Sequence, residues 1–109
     1  QKCDLLYLNL SFIEQHYSED ISIEDISSFC GLNRSYFSKV FRDTLGESPQ
    51  GFLLHYRMAR AAQLLTESRL PISTISTMVS YPNQLHFSRA FKNVYGISPR
   101  DYRAKHLAL

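Results

Sequence analysis

The chain has 109 residues, 44% of them hydrophobic, and a formal net charge of +2. This length suits one ordinary domain or two very small ones that share a core, and the apolar content is enough to bury that core, which excludes a disordered protein. No apolar run approaches the roughly 18 residues that span a bilayer, and no signal-peptide pattern opens the chain, so we expect a soluble, cytoplasmic protein.

The charged residues are unevenly distributed. Residues 1–33 contain one Lys or Arg against six Asp or Glu, whereas residues 34–109 contain eleven against four. A basic segment of this kind indicates a polyanionic partner more strongly than the small net charge does.

Two helices are predicted before the first glycine of the chain. Periodicity predicts a scaffold helix over residues 4–17. A second helix begins at Ser22, where Asp25 three residues later forms a capping-box pattern. Gly31 ends this helix. Its apolar residues are expected to face inward: Ile23, Ile26, Phe29 and Cys30.

A third helix of about a dozen residues follows that turn. Asn33 is its expected N-cap, Gly46 its left-handed terminator, and Phe37, Val40 and Phe41 its buried face. A short helix, a turn with a glycine and a second helix form a helix-turn-helix.

A long connecting helix is predicted next. Ser48 caps it, Pro49 occupies its first turn, and it runs to about residue 66. At about 1.5 Å per residue its length is roughly 25 Å. We therefore expect a first helix-turn-helix subdomain over residues 1–49, a linker helix over 50–66 and a second helix-turn-helix subdomain over 67–109.

One block of sequence occurs twice. Residues 37–43, Phe-Ser-Lys-Val-Phe-Arg-Asp, recur as residues 87–93, Phe-Ser-Arg-Ala-Phe-Lys-Asn, and a glycine and a Ser-Pro pair follow both copies. A repeat at this separation is one supersecondary unit used twice. The inward residues of the second helix recur as Ile72, Ile75, Met78 and Val79. The whole chain is thus predicted to be helical, with seven helices.

One turn position differs between the copies. Ser80 stands where the first copy has Gly31. Because glycine takes a positive φ more readily than serine, the second turn is either slightly strained or differently shaped.

Candidate DNA contacts lie on the outward face of the second helix in each unit. In a helix-turn-helix that helix enters the major groove with its N-terminal half against the base edges. Arg and Lys donate to guanine, Gln can pair with adenine, Ser can donate or accept, and Leu can contact a thymine methyl. The expected base contacts are Arg34, Ser35, Ser38 and Lys39 in the first copy, and Gln84, Leu85, Ser88 and Arg89 in the second. Arg42, His86 and Lys92 are expected to meet phosphate or solvent, and these outward sets contain no acid.

A longer pattern extends over the chain. It comprises Ser22-Ile23-x-x-Ile26, Gly31-Leu32, Tyr-Phe-Ser-Lys-Val-Phe-Arg at 36–42, Gly46-x-Ser48-Pro49, and Arg57-Met58-x-x-Ala61-x-x-Leu64-Leu65. This pattern resembles the DNA-binding domain of the AraC/XylS family of bacterial transcription regulators, and residues 87–103 are similar to that family's C-terminal signature. Two features depart from the family's usual sequence. Ser80 stands where the family usually has a glycine, and Tyr81-Pro82 stands where a phenylalanine and a polar residue are usual.

The resemblance implies an all-α, homeodomain-like fold of seven helices, with two helix-turn-helix subdomains joined by a long linker helix. It implies that both recognition helices enter adjacent major grooves on one face of double-stranded DNA, about 10 bp apart, in a transcription activator. Many members carry a separate N-terminal domain that binds an effector or dimerises. Activators in the family contact RNA polymerase, and an acidic face near Glu19, Asp20 and Glu24 could contribute. When bound, such a regulator is associated with the bacterial nucleoid.

Two other classes of function remain open. An enzyme is the weaker alternative, because the four histidines are scattered and no glycine-rich loop could cradle phosphate. No metal or cofactor is expected, since Cys3 and Cys30 lie neither in a Cys-x-x-Cys pair nor near a histidine at ligand spacing. The stronger alternative is a helical interaction module whose acidic N-terminal third docks a protein.

Overall fold

The computed structural model describes the backbone of residues 2–107 and the side chains of residues 7–107, so the Cys3 thiol lies outside the described residues. Within this range the chain forms seven helices and no strand. They are α1 Lys2–His16, α2 Ile23–Phe29, α3 Arg34–Leu45, α4 Pro49–Glu67, α5 Ile72–Met78, α6 Gln84–Tyr95 and α7 Pro99–His106. The predicted all-α fold of two helix-turn-helix subdomains joined by a long helix is confirmed.

The structure divides into two compact units, and the division falls between Leu54 and His55, within α4. The first unit contains α1 to α3 and the start of α4, and the second contains the rest of α4 and α5 to α7. Each unit therefore holds one helix-turn-helix, formed by α2 and α3 in the first and by α5 and α6 in the second.

Aromatic and aliphatic side chains form the core of the first unit. Helices α1, α2 and α3 pack against one another. The phenyl rings of Phe37 and Phe41 lie 5.7 Å apart, and Phe41 meets Phe52 of α4 edge-on at 5.6 Å. Ile13 of α1 and Ile26 of α2 are fully buried. This burial fixes which face of α3 remains exposed.

The second unit repeats this core. Phe87 and Phe91 are fully buried with their rings 5.9 Å apart, and Phe91 meets Tyr102 of α7 edge-on at 5.3 Å. Arg103 joins α7 to the end of α4, since its guanidinium donates to the carbonyl oxygens of Leu65 at 3.1 Å and Ser68 at 3.4 Å. A cation is favoured there because the last carbonyls of a helix carry partial negative charge.

The turn between α2 and α3 is a Schellman motif. The Gly31 N–H donates to the Ser28 carbonyl at 3.0 Å, and the Leu32 N–H donates to the Ser27 carbonyl at 2.9 Å. This pair of bonds requires a left-handed residue just after the helix, and Gly31 has φ +74°. The predicted capping box at the other end of α2 is also present, with Ser22 and Asp25 bonding each other's N–H groups at 3.1 and 2.9 Å.

The second turn has the same shape and is strained. The Ser80 N–H donates to the Thr77 carbonyl at 3.1 Å, and the Tyr81 N–H donates to the Ser76 carbonyl at 2.9 Å. Ser80 has φ +69° and is the one non-glycine residue with a positive φ in the part of the chain that the structure describes. Of the two alternatives that the sequence left open, strain is therefore correct. A left-handed L-residue costs about 1–2 kcal/mol.

We expect Ser80→Gly to raise the free energy of unfolding by about 1 kcal/mol, because the relief of strain exceeds the extra chain entropy of glycine. Gly31→Ser should lower it by a similar amount, since no atom lies within 4 Å of the added Cβ and the backbone conformation alone is penalised. Urea unfolding of both variants measures the two changes. Equal stability of the wild type and both variants would show that the turn carries no strain.

Two residues expected in the core face outward instead. Phe29 is 51% exposed and Met78 is 38% exposed, while Ser27 and Ser76 are buried in their place. At 100° per residue, the serine lies nearer the centre of the apolar stripe than the residue two positions later. Each buried hydroxyl has a partner, because Ser27 donates to the Glu24 carbonyl and Ser76 to the Tyr81 carbonyl.

Candidate nucleic-acid interface

Helices α3 and α6 are the second helices of the two helix-turn-helix units, and they are bounded alike. Each has twelve residues. The Asn33 side chain accepts from the Tyr36 N–H at 2.9 Å, and the Asn83 side chain accepts from the N–H groups of Leu85 and His86 at 2.9 and 3.1 Å. A left-handed glycine, Gly46 or Gly96, caps each C-terminus. The caps predicted for α3 are thus confirmed.

The face of α3 opposite the core presents the predicted contact residues. Phe37, Val40 and Phe41 are buried. Among the predicted contacts, Ser38 is half-buried, and the exposed ones are Arg34, Ser35, Lys39 and Arg42. These side chains lie on one side of the helix because the buried residues occupy the other. The first copy therefore brings its predicted residues together.

The corresponding face of α6 has the same burial pattern. Phe87 and Phe91 are buried, Ser88 is half-buried, and the exposed residues are Gln84, Leu85, His86, Arg89 and Lys92. Leu85, in the first turn of this helix, is 58% exposed. The second copy thus presents one apolar and two basic side chains together with a glutamine and a histidine.

The α3 face also carries an acid that the sequence-based prediction did not include. Asp43 lies four residues after Lys39, and its carboxylate Oδ2 is 3.0 Å from the Lys39 ammonium. Residues four apart share one face of a helix, so this spacing was the available signal. The outward set predicted for α3 contains no acid, but the exposed Asp43 lies beside that set. At the matching position α6 has Asn93.

The described residues also bear on two other kinds of site. None of their histidine, cysteine, aspartate and glutamate side chains form a group of three or more that could hold a metal ion. No helix in that part of the chain is both long enough and apolar enough to cross a membrane. Burial raises the pKa of the Cys30 thiol above its usual value, so this half-buried side chain is uncharged at neutral pH.

Two curated relatives bear the names of transcription regulators. The chain is 34% identical over 93 residues to the probable transcriptional regulator LumQ of Photobacterium leiognathi, a match that covers 85% of this chain and 38% of LumQ. It is 37% identical over 94 residues to the lactose operon transcription activator of Staphylococcus xylosus, covering 86% of this chain and 34% of that protein. The chain thus spans about a third of the length of these curated relatives.

Solved structures share the fold. The C-terminal domain of AraT, a response regulator from Geobacillus stearothermophilus, matches with a TM-score of 0.92 and 33% identity over 96% of this chain and 88% of that one. A Chromobacterium violaceum regulator with an AraC-type DNA-binding domain matches with a TM-score of 0.88 and 30% identity over 96% and 94%. The DNA-binding domain of AdpA, solved with a target DNA, has a TM-score of 0.87 and 23% identity over 93% and 90%.

A family model described as a helix-turn-helix domain matches residues 26–105, which include α3 to α6 and most of α7. The match covers more than half of the chain and agrees with the resemblance seen in the repeated block. Together with the AraC-type structures, it shows that the chain belongs to the AraC/XylS family of helix-turn-helix transcription regulators.

Proposed function

We propose that this chain binds double-stranded DNA in a sequence-specific manner, as the DNA-reading part of a bacterial transcription activator. The matched exposed faces of α3 and α6 are the observation that carries the proposal. Each face presents one serine hydroxyl and two cations at the same helical positions, and each is held by the same caps and the same buried phenylalanines. Two equivalent helices favour two equivalent insertions into the major groove, about 10 bp apart.

The side chains support different base preferences for the two helices. Arg34 and Lys39 on α3 can donate to guanine O6 and N7. On α6, the Gln84 amide can pair with adenine, and the exposed Leu85 can contact a thymine methyl. Base contact is also proposed for the half-buried or exposed residues Ser35, Ser38, Ser88 and Arg89. We therefore infer a guanine-containing first half-site and a second half-site with A·T pairs.

Contacts to the DNA backbone are proposed for the exposed cations beside these residues. Arg42 and Lys92 lie one turn beyond the main base contacts, and His86 lies in the first turn of α6. Phosphate contacts fix the register of a protein on DNA and supply most of the salt-dependent affinity, whereas base contacts select the sequence.

The organisation of the longer regulator is also a proposal. The subdomain limits of 1–49 and 67–109, with residues 50–66 as linker, place one recognition helix in each half. The curated relatives are about three times longer than the matched region, which supports a further domain that binds an effector or dimerises. Contact between RNA polymerase and the acidic face at Glu19, Asp20 and Glu24 stays a prediction of the resemblance. A cytoplasmic location and the absence of catalysis stay predictions from the residues of the chain.

Selection of bound duplexes from a random pool, followed by binding of the selected duplex at several salt concentrations, tests the proposal. We expect two short blocks about one helical turn apart, one with guanine and one with A·T pairs. The logarithm of the binding constant should fall linearly with the logarithm of salt, by about 0.9 per phosphate contacted. No enrichment, with no salt dependence, would favour a protein-interaction module instead.

A further inference from the structure

The two recognition helices differ in the partner of their central cation. On α3 the Lys39 ammonium donates to the Asp43 carboxylate at 3.0 Å. On α6 the matching pair is Arg89 and Asn93. Among the described residues, no carboxylate forms an ion pair with Arg89. The charge of Lys39 is therefore neutralised by a neighbouring carboxylate, whereas the charge of Arg89 is not.

The Lys39–Asp43 pair lies on the surface proposed to face DNA. The Lys39 side chain is 74% exposed and that of Asp43 is 54% exposed. The buried Phe37, Val40 and Phe41 occupy the opposite side of α3. Because an exposed ion pair contributes at most about 1 kcal/mol, the pair adds little to folding. Its effect should appear in what Lys39 can bind.

We propose that Asp43 positions Lys39 and determines specificity in the first half-site. This inference rests on the proposed DNA binding. It assigns Lys39 a small part in binding DNA of arbitrary sequence and a larger part at the correct base. Arg89, with Asn93 beside it, contributes to both kinds of binding.

The chemistry of the ammonium supports this division. A lysine has three N–H donors, so one can stay with Asp43 while the others reach O6 and N7 of a guanine. A phosphate is different, because it competes with the carboxylate for the same charge and is repelled by it. The gain from releasing DNA counterions is also smaller for Lys39, because Asp43 already neutralises its charge in the free protein. Asp43 therefore penalises phosphate contact more than guanine contact.

Asp43→Asn tests the inference, because it gives α3 the residue that α6 already has. Binding is measured to a duplex selected by the wild type and to a scrambled duplex of the same composition, at 50 and 200 mM salt. On the scrambled duplex, we expect the variant to lose about threefold more affinity than the wild type between these two salt concentrations, as one added phosphate contact requires. The ratio of selected to scrambled affinity should fall.

Glu14→Gln is the matched control, because Glu14 is exposed on α1 in the same unit and its replacement changes the net charge equally. It should leave the salt dependence unchanged. The reciprocal variant Asn93→Asp should weaken the salt dependence on the scrambled duplex and raise the selectivity ratio. If Asp43→Asn behaves like Glu14→Gln while the wild type discriminates between the duplexes, the role of Asp43 is overturned and DNA reading stands. If the wild type binds neither duplex, both proposals are overturned.

Discussion

Replacing Phe87 with alanine is expected to unfold most of the second unit. Phe87 is fully buried, and its ring lies 5.9 Å from Phe91 and 6.1 Å from Tyr81. Removal of a buried phenyl group costs about 3–5 kcal/mol. Native proteins have roughly 0.05–0.15 kcal/mol of stability per residue, so this loss is comparable with the stability of a unit that spans His55–Leu109. Circular dichroism should show a lower helix content at 25 °C.

The equivalent substitution in the first copy of the repeat can be compared with Phe87→Ala. Phe37→Ala removes the equivalent ring of the first unit, which is 1% exposed. Hydrogen exchange should then become fast in α2 and α3, whereas Phe87→Ala should affect α5 and α6. Tyr36→Ala is the control, because this aromatic side chain is 54% exposed and its loss should change stability by less than about 1 kcal/mol. A melting temperature for Phe87→Ala within a few degrees of the wild type would contradict the proposed core.

Local sequence signals predicted the recognition helices well, because those signals act within a few residues. Asn33 and Gly46 bound α3 as their capping chemistry requires. Phenylalanines separated by four residues predict one buried face, and Phe37 and Phe41 lie on it. The outward residues then follow by elimination, which is why the predicted contacts share one surface on each helix.

In the short helices α2 and α5, hydrophobicity alone did not predict which residues are buried. Phe29 and Met78 are among the larger apolar residues of α2 and α5, yet they lie at the edge of the buried stripe. The centre of that stripe includes Ser27 and Ser76, which can be buried because their hydroxyl groups bond to backbone carbonyls. A helix of seven residues is too short for periodicity to separate these alternatives.

The two features that sequence could not decide depend on neighbouring groups. The positive φ of Ser80 follows from two hydrogen bonds that close the turn, and a serine by itself does not specify it. The Lys39–Asp43 pair has the spacing of a helical ion pair, but long exposed side chains adopt many rotamers. Only the coordinates show that the ammonium and the carboxylate meet.

The double variant Lys39→Ala with Arg89→Ala is expected to reduce sequence preference strongly without changing the fold. Both side chains are exposed, so helix content and melting temperature should match the wild type. Each base contact is worth about 1–3 kcal/mol of discrimination. If the two effects add, affinity for the selected duplex should fall by roughly 30-fold to 10⁴-fold. Affinity for the scrambled duplex should fall only a few-fold. There the two side chains make no specific base contacts, so only phosphate contacts can be lost.

The matched control is Arg69→Ala with Lys105→Ala, which removes one arginine and one lysine that are exposed outside both recognition helices. The decisive measurement is the ratio of affinities for the selected and scrambled duplexes in the wild type and in both double variants, at one salt concentration. We expect the ratio to fall by about tenfold or more in Lys39→Ala with Arg89→Ala and to stay at the wild-type value in the control. A wild-type ratio in both double variants would contradict base reading by α3 and α6.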